Sequence, residues 1–509
     1  MIALPCLLYS MDLTVLNLAV PQLSADLQPS SSQLLWIVDI YGFMVAGSLI
    51  TMGTLGDRIG RRRLLLIGAA AFGLASVLAA FSRSAEMLIA TRALLGIAGA
   101  TLAPSTLSLI RNMFLDPQQR TVAIGVWVTS YSVGGAIGPL IGGILLEYFW
   151  WGSVFLIGVP VMVLLLVLGP RLLPEFRDPG AGRLDILSAA LSLAAVLAVI
   201  YGLKRTAEAG VDWLPLASMV TGLVLGSSFV RRQRMLADPL IDLRLFRVPA
   251  FSAALATYTL GTLVAFGAYI FIAQYLQLVL GLSPLRAGLA TVPTMAAFVL
   301  GSMVVPALSR RFPPAHVMGA GLVLSAVGFG VLTQVDRPSG LAVLITGSVI
   351  YSLGLAPVVI LATDLIVGSA PVERAGAASA ISETSSELGG ALGIAIFGSI
   401  GTAVYRSLMT HGVPGGISFE AASAARSTLG AALAVAQKLP GRLGAELLDT
   451  ARAAFGQAFE LTAAISAVVS LATAIGAVLL LRRPRAGAKL EDEHLEAGVQ
   501  LPNSSPAGP

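Results

Sequence analysis

Residues 125–143, GVWVTSYSVGGAIGPLIGG, decide how the chain must be read. The run lies inside a long apolar segment and places glycines at Gly125, Gly134, Gly138, Gly142 and Gly143, with Pro139 among them. Gly134, Gly138 and Gly142 recur every fourth residue, so on a helix they form one nearly bare stripe. In lipid such a stripe lets a second helix approach backbone to backbone. A proline would break a soluble helix interior, but neighbouring spans can satisfy the backbone groups it frees. The plain reading of a GxxxG stripe is a tightly packed pair of membrane helices. The full spacing, G-x8-G-x3-G-P-x2-G-G, says more than that.

The bulk composition agrees with a membrane setting. Of 509 residues, 56% are hydrophobic and 12% charged, and the mean hydropathy is +0.85. A soluble domain carries about 25% charged residues, so most of this chain faces lipid or other helices. Glycine, at 54 residues, exceeds the usual roughly 7% and suits close helix packing. Cys6 is alone, which excludes an intrachain disulfide. With three histidines and no CxxC or HExxH, a metal site has little support. The opening MIALPCLLYSMDLTVLNLAVP has no basic n-region and no small-residue cleavage site, so it reads as a first span and not a signal peptide.

Fourteen apolar windows are long enough to cross a bilayer, from 2–21 through 120–146 to 376–405 and 457–481. Twenty-one of the thirty-two Lys and Arg residues fall on one side of these spans and ten on the other, with Arg92 inside a span. The positive-inside rule then puts both termini in the cytoplasm. The net charge of +5 is therefore a topology signal, not a sign of nucleic-acid binding. The natural division is a six-helix half over 1–170, an inserted two-helix hairpin with its flanking loops over 171–247, and a second six-helix half over 248–485. A loop over 406–456 reads as two amphipathic helices broken at Leu439-Pro440-Gly441. The polar tail over 486–509 reads as disordered.

A charge inside a span costs roughly 2.5–3.5 kcal/mol, so each one needs a reason. Asp12 lies in the first span, where a carboxylate in apolar surroundings can bind and release a proton near neutral pH. A packing hydrogen bond to a neighbouring span is the alternative for it. Asp39 follows Trp36 near the outer end of the second span, as a cavity-mouth or an interfacial acid. Arg92 is an intramembrane cation in the fourth span, near Gly96 and Gly99. Glu383 and Glu387 are four apart on the thirteenth span and share a face. Two like charges that close in low dielectric cannot both stay ionised, an arrangement suited to exchanging a proton for an organic cation. The ninth span carries Tyr258 and Tyr269, whose aromatic faces can attract a desolvated cation, together with Gln274, although lipid-facing packing explains most aromatics there. Asp364 reads as interfacial. No GxxxxGK[ST] occurs, which speaks against an ATP-driven pump.

The pattern over 125–143 resembles the fifth span of exporters in the major facilitator superfamily, with every fixed position met. Gly53-Thr-Leu-Gly-Asp57-Arg58-Ile-Gly60-Arg61-Arg62-Arg63 matches that superfamily's loop between spans two and three. Asp12 with Thr14, Asn17 and Pro21 resembles its first-span pattern. Arg92 with Gly96 and Gly99 resembles its fourth, although Leu95 stands where a Gln is common. Together with the segment 379–390, these place the chain as similar to the fourteen-span drug:proton antiporters. The resemblance implies an all-α major facilitator fold, with two six-helix halves and an inserted hairpin. It implies a monomer in the bacterial inner membrane that is not an enzyme. Asp12, Arg92, Glu383, Glu387 and Asp39 would couple protons to the drug, and Gly53, Asp57, Arg58, Gly60 and Arg61 would form a gate latch. The fifth-span motif would seal one side of the pathway. Its partners would be protons and small lipophilic cations such as quaternary ammonium compounds, dyes and fluoroquinolones, with the proton gradient in place of a cofactor. An exporter of an endogenous metabolite or antibiotic is the alternative.

Overall fold

The computed structural model describes residues 2–29, 31–177, 184–209, 212–236, 239–335 and 340–481, and its regular structure among them is helical. In hydrocarbon every backbone polar group must be paired internally, and helices do this within one segment. The first half runs through α1 (Ala3–Leu27), α2 (Ser31–Ile59), α3 (Arg61–Ala80), α4 (Ala85–Met113) and α5 (Pro117–Tyr148). It closes with α6 (Ser153–Leu156) and α7 (Gly158–Leu172), which meet at Ile157. A hairpin follows, α8 (Ile186–Ala209) and α9 (Trp213–Gln233). The second half contains α10 (Pro249–Gln274), α11 (Pro284–Arg311), α12 (Pro314–Leu332), α13 (Gly340–Gly368) and α14 (Ala375–Gly412). After the short α15 (Phe419–Ser427) and α16 (Leu429–Ala436), α17 (Gly441–Leu481) ends the described chain. Among the described residues twelve helical segments are long and apolar enough to cross a membrane. The tail over 486–509 lies outside the described residues.

Local signals set the helix ends. Asp116 accepts from the backbone N–H groups of Gln118 and Gln119 just ahead of Pro117, and Ser283 precedes Pro284 in the same way. A capping side chain satisfies orphan amides, and proline at the first helical position loses no bond. Between α2 and α3 the turn needs Gly60 at φ 112°, a conformation that disfavours any side chain.

The glycine stripe of α5 is the bed on which α1 lies. A methyl group at Gly134 would run into the Leu7 carbonyl, and one at Gly142 would press on Val15. Gly125 faces the other half instead, near the Ser302 carbonyl at 3.7 Å from a methyl position and Ile360 at 3.8 Å. Gly143 has nothing within 4 Å. Gly134→Val is therefore expected to lower stability by about 1–3 kcal/mol through overpacking. A thermal melt of the purified protein checks this, with Gly143→Val predicted to leave the melting temperature unchanged. Equal melts for the two variants would sink the packing argument.

The paired helices α8 and α9 lie against the rest of the bundle, with α8 packed on both α2 and α14. Gly47 on α2 leaves room there for Leu193 and Leu197. At the base of the hairpin Arg232 Nε donates to Asp185 Oδ2 at 2.7 Å, and this bond holds the Asp185 carboxyl below its ordinary range.

The reading of 406–456 as two separate amphipathic helices needs correction. The chain does break at Leu439-Pro440, where the Pro440 carbonyl accepts from Gly444 N at 3.0 Å. The second helix then runs without interruption into the last span as α17. The first piece is split at Thr428, whose hydroxyl caps α16 through Ala431 N at 3.2 Å. Tyr405 and Arg452 tie this layer down by donating to the carbonyls of Ala425 and Leu278.

Candidate functional site

Three helices of the first half build one cluster. Arg92 on α4 donates from Nη1 to Asp12 Oδ2 on α1 at 2.9 Å, and the two side chains are 1% and 14% exposed. Its remaining donors reach the Ile37 carbonyl at 3.1 Å and the Val38 carbonyl at 3.4 Å on α2. The guanidinium also lies over the Tyr41 ring, 4.9 Å from its centroid. A buried charge is tolerable only when paired and bonded in this way. Gly96 permits the geometry, since a methyl there would meet the Tyr41 carbonyl. Asp39 follows the two carbonyls that Arg92 touches and is half-buried.

The second half contributes α14. Glu387 Oε1 accepts a hydrogen bond from Tyr9 Oη at 2.9 Å, across the interface between the halves. Tyr9 precedes Asp12 by three residues, so both lie on one face of α1. The Tyr9 ring lies 5.9 Å from Tyr41 and 5.7 Å from Tyr131, and Tyr131 is 4.9 Å from Trp127. Glu387, Tyr9, Tyr41, Arg92 and Asp12 thus form one contiguous series across α14, α1, α2 and α4. One turn away, Glu383 Oε1 is buried with no hydrogen-bond partner, and so is the Tyr131 hydroxyl. An unpaired buried acceptor carries a desolvation penalty that a proton or a cation removes.

The tyrosines of α1, α2 and α5 were not among the sequence candidates. The signal for Tyr9 was its three-residue spacing from Asp12. Of the ninth-span candidates, Tyr258 is buried at the level of the glutamates, because α10 and α14 run side by side with Thr259 and Thr262 against Gly389. Tyr269 and Gln274 lie further along α10, about 16 and 24 Å from Tyr258 at 1.5 Å per residue, and Tyr269 is 50% exposed. These two therefore lie away from the level of Glu383 and Glu387 along the helix.

A second constellation closes one end of the bundle. Asp57, 3% exposed, accepts from Gly376 N and Ala377 N in the first turn of α14, each at 3.0 Å. A helix N-terminus with free amides favours such a carboxylate. Arg61 Nε donates to Asp57 at 2.8 Å, and its Nη2 reaches the carbonyls of Val372 and Glu373. Gly53 and Gly376 make room for this contact, since a methyl on either would strike the backbone of the other. Arg58 is half-buried on the same turn. At the same end Arg120 and Thr121 of α5 both donate to Asp364 of α13. Asp364 thus links α5 to α13 at this end. The structure is closed at the end that carries the Gly53–Arg63 motif.

The sequence profile described as "Major Facilitator Superfamily" matches residues 3–394. The chain is 45% identical over 482 residues to "Multidrug efflux pump LfrA" of Mycolicibacterium smegmatis, covering 95% of each chain. It is 39% identical over 455 residues to "Methyl viologen resistance protein SmvA" of Salmonella typhimurium, covering 88% of this chain and 90% of that one. Among solved structures, the human organic anion transporter MFSD10 superposes with a TM-score of 0.57 at 16% identity, covering 92% of this chain and 97% of that one, a likeness of fold alone.

Proposed function

The chain belongs to the Major Facilitator Superfamily, and we propose that it is a proton-driven exporter of lipophilic organic cations working by alternating access. The observation that carries this reading is the Tyr9–Glu387 bond, which joins a carboxylate of one half to the Asp12–Arg92 pair of the other. When the halves rock, that bond is stretched, so the protonation of Glu387 and the opening of the pathway are linked. A cationic drug reaching this cluster finds a carboxylate oxygen without a partner at Glu383 and the ring faces of Tyr9, Tyr131 and Trp127. Protons arriving from outside neutralise the same carboxylates and release the drug. The latch between Asp57, Arg61 and α14 then forms in the outward-open state and breaks in the inward-open state.

The membrane arrangement follows in the same reading. Besides the twelve apolar segments, α1 and α5 are helices of 25 and 32 residues packed on one another, which supports fourteen spans. The excess of Arg and Lys at the latch end supports cytoplasmic termini, and the bacterial relatives support a bacterial inner membrane. The proton gradient supplies the work, at about 2.3 kcal/mol per charge per 100 mV. A relative named for methyl viologen resistance supports cations as the substrate class, since methyl viologen is a dication, and one named for multidrug efflux supports export of drugs.

Ethidium and methyl viologen uptake into everted vesicles tests the proposal. Uptake driven by an imposed proton gradient and abolished by a protonophore is expected. If the protein is in the membrane and neither cation is moved, the reading fails and a dedicated metabolite exporter takes its place.

A further inference from the structure

Described residues of the linker between α9 and α10 border an open cavity of about 710 Å³ at the latch end of the bundle. Among the described residues Arg234, Arg244, Arg247 and Arg374 line it beside Asp242. Leu236, Leu243 and Phe246 supply an apolar part of the wall. The cavity lies where α9 ends at Gln233 and α10 begins at Pro249, the level at which a span meets lipid headgroups. An excess of guanidinium groups beside apolar side chains at that level has the character of a phospholipid headgroup with the first part of its acyl chains.

We propose that this cavity binds the phosphate of an anionic phospholipid, and that the bound lipid braces the closed latch. The linker already touches the latch at two points. Thr54 of α2 donates to the Leu240 carbonyl at 3.0 Å, and Arg374 donates to the Pro239 carbonyl at 3.4 Å. Gln233 fixes the linker's shape by accepting from Leu240 N at 2.7 Å and donating to Ser188 at 2.8 Å. Arg374 precedes α14, whose first turn holds Asp57, while the other three arginines belong to the linker. A phosphate shared among them ties the linker to α14 and favours the state in which the latch is shut. The inference uses the orientation proposed above only to put the site in the cytoplasmic leaflet.

Purified full-length protein in detergent, melted with added phosphatidylglycerol, phosphatidylcholine or inorganic phosphate, tests it. Phosphatidylglycerol is expected to raise the melting temperature, and the other two are not. An Arg234→Gln/Arg247→Gln variant should melt normally without lipid and bind phosphatidylglycerol about thirtyfold more weakly. Arg234→Lys/Arg247→Lys should keep most of the affinity, because a headgroup phosphate accepts point charges. An unchanged lipid response in the Gln variant would mean that the lipid acts elsewhere. Inorganic phosphate matching phosphatidylglycerol would make this a free-anion site, and no response to phosphatidylglycerol would leave it without its ligand; each result overturns the proposal. Because the readout is lipid binding, a protein that moves no cation yet binds phosphatidylglycerol here would sink the export reading alone.

Discussion

Glu387→Gln is expected to reduce proton-driven cation export to the level of vesicles lacking the protein, while the protein still folds and inserts. The amide keeps the size of the side chain and an oxygen that can accept from Tyr9, whose hydroxyl lies 2.9 Å away. What it loses is the ability to give up a proton and hold a negative charge. If that charge is what a cation and a proton compete for, coupling disappears although the contact between the halves survives. Two companions separate charge from contact. Tyr9→Phe breaks the hydrogen bond but leaves both acids, so export should fall only partly, with a shifted pH profile. Glu383→Gln removes the charge beside the orphaned oxygen one turn away and should weaken cation binding while leaving the link to α1 in place. Vesicle uptake measured as a function of pH distinguishes the three. Wild-type export by Glu387→Gln would remove this residue from the coupling site.

Much of this arrangement was legible in the chain before any coordinates. The glycines at 134 and 142 mark the face of α5 that α1 occupies, because only small residues leave room for the Leu7 backbone and for Val15. Gly60 and Asp57 were equally readable, since a turn with φ 112° and an acid at a helix end have few substitutes. What the sequence hid are partners distant along the chain. Asp364 lies 244 residues from Arg120, and nothing in its own neighbourhood says which helix it faces. The tyrosines of α1, α2 and α5 were hidden for a related reason. In a span that is apolar all round, the hydrophobic pattern no longer marks a buried face, so Tyr9 and Tyr41 read like any other core residue. The residues of α10 show the converse: their spacing already separates Tyr258 from Gln274 by about 24 Å along the helix, but it does not say which of them faces α14. The Pro440-Gly441 signal was read correctly as a break, but no proline follows between 441 and 481 to stop the helix that starts there.

Arg92→Met is expected to cost about 3–5 kcal/mol of stability, because it leaves the Asp12 carboxylate in apolar surroundings without its counter-charge. Asp12→Asn should cost less. In that variant Arg92 keeps the carbonyls of Ile37 and Val38 and the face of Tyr41, so the guanidinium is still partly satisfied. The double variant Asp12→Asn/Arg92→Met should recover part of the loss seen with Arg92→Met alone, since no charge is then left stranded. Export should stay absent in all three, as the series that begins at Glu387 ends on this pair. A double-mutant cycle on melting temperature, run beside vesicle uptake, separates the structural role from the coupling role. Strictly additive losses would mean that Asp12 and Arg92 are stabilised independently, and that the 2.9 Å contact between them carries no energy. A strong interaction term with export restored in the double variant would make the pair a structural strut alone. A strong interaction term with export still absent is the outcome that joins the N-terminal pair to the movement of protons.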